Sequence, residues 1–374
     1  MRILVCSDIP PYVIGGAEMQ AWRLATTWQR NGHIIEIVGH RIPSTILEDI
    51  RLHHLKVIYR FGRGLRALSY FISLTRFLLK HNKRYDIIYS RFIGEATLSI
   101  SLLKHIGAIK LPLVAVPAAA SNIDKSDVAL LKSLPFLNQL IVIVNNNCNC
   151  INYIAPGIDS SLTSIGIKPR LSVHIPNGVP LPSTIPFGIK HLPRKLLFVG
   201  RLEFQKGLDT LLLALERLSK NGYQFEMRII GHGNQLDNLK QFVIGHELEA
   251  HVTFLGEQSQ KFIKDELSNA DFFILPSRYE GISNAALEAL AFGLPIILTK
   301  CGGLDTYISP ATGWVCEPEN PDSLYNAIYA AINISQHQWN TLSENCMRLA
   351  IEHFSMESIA SKNIQVFETL LSPT

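Results

Sequence analysis

Residues 275–295 read Leu275-Pro-Ser-Arg-Tyr-Glu-Gly-Ile-Ser-Asn-Ala-Ala-Leu-Glu-Ala-Leu-Ala-Phe-Gly-Leu-Pro295. The apolar run Asp271–Leu275 predicts a strand, Glu280-Gly281 a loop, and Asn284–Phe292 a helix. The first backbone N–H groups of such a helix have no partner within it and lie at the positive end of its dipole, which makes them a seat for phosphate. Glu280 stands just before those amides, and Glu288 lies one turn beyond Asn284. Two carboxylates spanning a phosphate seat suit a nucleotide-sugar, one near the sugar and one on the ribose hydroxyls. The plainer alternative is that Glu280 caps the helix and Glu288 is solvated, and for two glutamates alone that account suffices.

Around this stretch the second half of the chain alternates strand and helix. Strands are expected at Lys195–Val199, Glu226–Ile230, Val252–Leu255, Asp271–Leu275 and Pro295–Thr299. Helices are expected at Leu208–Ser219, Gln235–His246, Gln260–Asn269 and Asn284–Phe292, and the chain ends in helical segments at Gln338–His353 and Met356–Leu371. This alternation predicts an α/β fold with a parallel sheet covered on both faces. The first half reads the same way. Its strand candidates are Arg2–Cys6, Ile34–Gly39, Asp86–Tyr89, Leu111–Val116, Leu140–Val144 and Val173–Ile175, and Gly15-Gly16 opens a helix carrying Ala17, Ala21, Leu24, Ala25 and Trp28. Five prolines between Pro176 and Pro193 mark a linker, because proline suits neither a helix interior nor a central strand. The expected domains are 1–182 and 194–355, with a C-terminal helix at about 356–374 packing back on the first. The asparagine-rich patch 145–152 has no reading at this level.

Composition narrows the function classes. The 374 residues exceed one ordinary domain, and a 47% hydrophobic content is enough for two cores. The net charge of 35 − 31 = +4 gives no reason to expect a nucleic-acid partner. The six cysteines form no C-x-x-C and read as reduced thiols, in keeping with a cytoplasmic location. The start, MRILVCSDIPPY, reads as a first strand and not as a signal peptide.

Two further stretches carry chemistry. In Phe198-Val-Gly-Arg-Leu-Glu-Phe-Gln-Lys-Gly-Leu-Asp209, Arg201 and Lys206 follow a strand in a glycine-bounded loop, where two cations would clamp a diphosphate and stabilise it as a leaving group. Two ordinary surface cations are the alternative. Gly15-Gly16-Ala17-Glu18 places a glycine pair at a helix start, where backbone can approach a ligand closely.

Together these blocks resemble the family 4 retaining glycosyltransferases. The resemblance runs through nearly the whole chain. It includes Ile175-Pro-Asn-Gly-Val179, Ile230-Gly-His-Gly233, Phe254-Leu-Gly256, Gly302-Gly303 and Gly313-Trp-Val-Cys-Glu-Pro318. It implies the GT-B arrangement of two facing Rossmann-like domains with a deep cleft. It also implies a nucleotide-sugar donor and a glycan or lipid-linked acceptor in the synthesis of cell-surface polysaccharide or glycolipid. By the same resemblance Arg201 and Lys206 hold the donor diphosphate, Glu280 sits at the donor sugar, Glu288 binds the ribose, and the amides of Gly281, Ile282 and Ser283 touch phosphate or sugar. Gly15 and Gly16 belong to the donor-binding set, with Gly16 approaching the donor phosphate. The resemblance implies no metal and no cofactor, and the chain has no Asp-x-Asp.

The sequence departs from the family on the acceptor side. Where many relatives carry a histidine, this chain has Pro117 and Ala118, with Ser121, Asn122 and Asp124 as a loose echo of another family pattern. Asp305 stands where relatives often have glutamate. A silent nucleotide-sugar-binding subunit, a GT-B epimerase and a phosphorylase are the competing readings.

From Ile50 to Tyr85 there are nine Lys/Arg and no acidic residue. Within this span Leu65–Lys80 forms a basic amphipathic helix. One reading is attachment of residues 51–84 to an anionic membrane surface at the inner face of the cell membrane. The other is a core-packed helix with a solvated basic face.

Overall fold

The computed structural model describes residues 1–60, 62–117, 131–132, 134, 136–182 and 194–372. The expected acceptor-side residues Ser121, Asn122 and Asp124, and the linker over 183–193, lie outside the described residues. The chain divides into two compact units. The first runs from Met1 to Gly178 and takes in the C-terminal residues from Met356 on, and the second is Val179–Ser355.

In the first unit the strands are β1 (Arg2–Cys6), β2 (Ile34–Gly39), β3 (Thr45–Leu47), β4 (Ile50–His54), β5 (Ile87–Arg91), β6 (Leu113–Val116), β7 (Cys150–Asn152) and β8 (Ser172–Val173). They form one sheet in the order β3-β4-β2-β1-β5-β6-β7-β8. All neighbours are parallel except β3 and β4. Ile3, Leu4, Val5, Ile87, Ile88 and Tyr89 are buried, as expected of parallel strands that are covered on both faces and so read as unbroken apolar runs. The helices are α1 (Gly16–Arg30), α2 (Gly62–His81), α3 (Glu95–His105), α4 (Leu137–Asn147) and α5 (Pro156–Ser164).

The final helix of the chain, Met356–Leu371, packs on α1. The Trp28 indole N–H donates to the Ala360 carbonyl at 3.1 Å, and the Trp28 ring meets Phe367 at 5.4 Å and Tyr89 at 5.2 Å, both edge-on. These contacts bind the end of the chain into the first unit.

The second unit continues with β9 (Arg194–Val199), β10 (Phe225–Ile230), β11 (Val252–Gly256), β12 (Phe272–Leu275), β13 (Ile296–Thr299) and β14 (Gly313–Cys316). The sheet order is β11-β10-β9-β12-β13-β14, all parallel. Its helices are α6 (Leu208–Lys220), α7 (Leu236–Gly245), α8 (Gln260–Asn269), α9 (Asn284–Ala291), α10 (Pro321–Ile332) and α11 (Gln336–Leu349).

Several expectations are corrected. Leu140–Val144 is not a strand but part of α4. Ile141 and Val144 are buried while Val142 is exposed, a spacing of three that belongs to a helix. The strand in that region is β7, inside the asparagine patch. There Asn149 accepts from the Leu113 N–H at 3.0 Å and Asn152 from the Ile175 N–H at 2.8 Å, so the asparagines replace missing ladder partners. β3, β4 and β14 were not expected as strands. By its contacts Val179 belongs to the second unit, where it donates to the Phe354 carbonyl at 2.8 Å and bridges Ser355.

Candidate active site

In the second unit β9 lies at the centre. The chain builds β10 and β11 on one side of it, then β12, β13 and β14 on the other. The loops after β9 and β12 therefore leave adjacent strands in opposite directions, the position where open parallel sheets take their ligands.

The β9 loop passes through a short 3-10 turn, Phe204–Lys206, and enters α6 at Gly207 with φ +64°. A side chain is excluded there, since a Cβ would lie 2.1 Å from the Pro276 carbonyl oxygen. This glycine lets the two loops touch. They are also tied by backbone and side-chain bonds. The Arg278 N–H donates to the Gln205 carbonyl at 2.9 Å, and the Gln205 side-chain amide to the Tyr279 carbonyl at 2.9 Å.

Lys206 and Glu280 meet across this seam as a direct ion pair between Nζ and Oε2. Their side chains keep 11% and 16% exposure. A pair this dry is held by mutual attraction at low dielectric, and removing either partner strands the other. The Glu280 N–H donates to the Cys301 carbonyl at 2.9 Å, and the Ser277 hydroxyl to its carboxylate at 3.4 Å. Gly303 backs the loop so closely that a Cβ would lie 1.5 Å from the Gly281 carbonyl oxygen. Asp305 serves this turn by accepting from the Gly303 N–H at 2.7 Å.

Ser283 caps α9, its hydroxyl accepting from the Ala286 N–H. One orphan donor of the helix start is thereby satisfied internally, and Glu280 is not the cap. Ile282 and Ser283 are buried, and Glu288 is half-buried in the second turn of α9. Arg201 is not drawn into the Lys206–Glu280 pair. It is 62% exposed and pairs with Glu203 at 3.1 Å. Gly15 and Gly16 stand at the start of α1 in the first unit, where a Cβ on Gly15 would lie 2.2 Å from a carboxylate oxygen of Glu18.

Sequence reasoning missed Arg278 and Asp209. Arg278 makes a two-point contact with Asp209 at 2.9 and 2.6 Å, reaches Glu319 at 3.0 Å, and lies 3.8 Å over the Phe204 ring. These contacts raise the guanidinium above its ordinary range, the Asp209 bond first among them. Burial works against the Asp209 charge, but Arg278 outweighs it and holds the carboxyl below the usual range. Both residues lie in the quoted stretches, but no local spacing pairs them.

Comparison with known proteins follows the same blocks. The model for Glycosyltransferase Family 4 matches residues 14–182, and that for Glycosyl transferases group 1 matches residues 185–346. The glycogen synthase of Mycobacterium tuberculosis is 31% identical, with 98% of this chain and 94% of the relative covered. The chain belongs to glycosyltransferase family 4. Its fold is GT-B, as in the solved sucrose-phosphate synthase of Thermosynechococcus elongatus (TM-score 0.81, 19% identity, covering 99% of this chain and 98% of that one). HepE of Anabaena, solved with UDP-glucose, also matches (TM-score 0.75, 17% identity, 99% and 100% coverage). For a family 4 glycosyltransferase, the seam carrying Lys206 and Glu280 is the natural candidate for the catalytic centre.

Proposed function

We propose that this glycosyltransferase moves a sugar, with retention of anomeric configuration, from a nucleotide-sugar to a glycan or lipid-linked acceptor in cell-surface polysaccharide or glycolipid synthesis. The observation that carries the reading is the desolvated Lys206–Glu280 pair at the carboxyl ends of β9 and β12. In it a cation and a carboxylate are fixed beside a helix start. On donor entry Lys206 turns from Glu280 to the diphosphate, and Arg201, exposed and paired with Glu203, joins it. Glu280 then faces the sugar, with Glu288 left for the ribose and the amides of Gly281–Ser283 for phosphate or sugar. The bond from the anomeric carbon to the diphosphate oxygen breaks as the acceptor oxygen bonds to that carbon. A departing diphosphate that takes up the acceptor proton keeps both oxygens on one face, which retains configuration. Two cations and a helix dipole supply the charge neutralisation that a metal provides elsewhere. HepE's UDP-glucose supports a donor of the same chemical class.

The membrane reading belongs here too. Tyr70, Leu74 and Leu78 of α2 are buried, but Leu65, Leu68, Ile72 and Leu79 form a second stripe on the same helix, with Leu68 53% and Leu79 54% exposed. Arg76 and Lys80 are exposed beside them. An apolar stripe flanked by cations favours peripheral attachment to anionic lipid. Among the described residues no helix is long and apolar enough to cross a membrane.

Proton NMR of the product during turnover tests the stereochemistry, with the donor's anomeric form expected in the first product formed. Rates unchanged by EDTA are expected. An inverted first product would refute retention, and full loss of rate in EDTA, restored by a divalent ion, would refute the metal-free account.

A further inference from the structure

The first unit repeats the topology that places the candidate active site in the second. β1 lies at the centre, β2 and β4 are added on one side, and the chain returns to β5 on the other. The switch point therefore falls between the carboxyl ends of β1 and β5, where an open parallel sheet receives a ligand. The last residue of β5 is Arg91, aligned with Val116 of β6 and one step past the Cys6–Ser90 pairing with β1. The next residue, Phe92, has φ +68°, a left-handed backbone that a bulky side chain takes only under constraint.

Arg91 is 4% exposed. Strand alternation puts it on the face of Tyr89, and its Nη1 reaches the Tyr89 hydroxyl at 3.5 Å. Its Nε and Nη2 are buried and have no hydrogen-bond partner. Those two nitrogens form one edge of the planar guanidinium, opposite Nη1, so the free edge is turned away from Tyr89. Two parallel N–H donors on that edge match two oxygens of a phosphate or carboxylate. A buried guanidinium left this way is costly unless something pairs with it, and no carboxylate among the described residues does.

We propose that Arg91 is an oxyanion-binding residue of the first unit, taking a phosphate or carboxylate group of the acceptor side-on through Nε and Nη2. The assignment to the acceptor rests on the transfer reading above, which gives the donor diphosphate to Lys206 and Arg201. The fork is out of contact with bulk water, so binding displaces the groups that cover it, and the test belongs in solution.

The test is a thermal-shift titration of the full chain with inorganic phosphate, at ionic strength held constant with chloride and with UDP present to occupy the proposed donor site at Lys206. Wild type is compared with Arg91→Met and Arg91→Lys. Phosphate affinity is expected to weaken about tenfold or more in both, because lysine keeps the charge but not the fork. The lysine variant carries the test if the methionine variant does not fold. Absence of a phosphate response in wild type, or equal affinity in all three proteins, overturns the site. A second titration with UDP alone separates the sources. If UDP affinity falls by the same factor as phosphate affinity, the fork holds the donor diphosphate and the acceptor assignment is overturned. Because phosphate is read directly, this result is independent of whether any nucleotide-sugar turns over.

Discussion

Arg278 is the residue whose removal separates scaffold from chemistry. It reaches Asp209, Glu319 and Phe204 in one position, and so ties the loop bearing Lys206 to the loop bearing Glu280. Arg278→Ala is expected to cost about 1–2 kcal/mol of stability, a modest figure because Asp209 is half-exposed. It should also weaken donor use roughly tenfold through looser placement of the ion pair. Thermal melting and KM for the donor check both. The pH dependence has a definite sign. The folded carboxyl of Asp209 sits below its unfolded value of ~3.9. Its contribution is therefore present at neutral pH and is lost as pH falls through the lowered value. The stability gap between wild type and Arg278→Ala should hold at pH 6 and shrink below about pH 4. At this scale Glu280 and Lys206 were legible because each closes a strand–loop–helix pattern. The Arg278–Asp209 tie was not, because a contact between a loop and a helix start 69 residues apart leaves no local spacing to read.

Elements fared differently according to how much local sequence decides them. β1, β2 and the last helix match their expected ranges because each apolar pattern ends at a turn or a polar residue. The α4 region failed because an apolar run of five has no period, and burial of Ile141 and Val144 alone settles it. The β3–β4 hairpin failed for another reason. Its turn residues Glu48 and Asp49 have φ +47° and +63°, a left-handed pair that usually announces itself with Asn-Gly or Asp-Gly. On α2 one apolar stripe is core and the other is exposed. The exposed stripe makes a prediction: Leu68→Glu with Ile72→Glu should leave folding intact, as neither side chain is buried, but should abolish sedimentation with anionic vesicles. Partition equal to wild type at low salt would refute attachment through this helix.

At the scale of the whole molecule, both sheets put their switch point beside a central first strand, and in each a charged residue stands there, Lys206 with Glu280 in one and Arg91 in the other. The parallel sheets were legible from strand–helix alternation. The Val179 bond to the Phe354 carbonyl was not, since it joins residues far apart in the chain. The thiols also act at this scale. All six cysteines are free and buried. Burial pushes Cys6, Cys148, Cys150 and Cys301 up to about 12 and Cys316 up to about 11. An unfolded thiol ionises near ~8.5. The raised folded values therefore give stability that is complete below that pH and lost as pH rises toward 12. Chemical denaturation at pH 7.5, 9 and 10 should show falling stability, with a shallower fall in Cys6→Ala, and thiol reagents should label the folded chain slowly.

The central claim is that the Lys206–Glu280 seam performs sugar transfer from a nucleotide-sugar. It is tested most directly by nucleoside diphosphate release across a panel of UDP-, GDP- and ADP-sugars, with wild type beside Glu280→Ala and Lys206→Ala. Release from one donor, reduced at least a hundredfold in both variants, is the predicted result. Tight donor binding with no release, even with lipid extract supplied as acceptor, would contradict the account and leave a silent binding subunit.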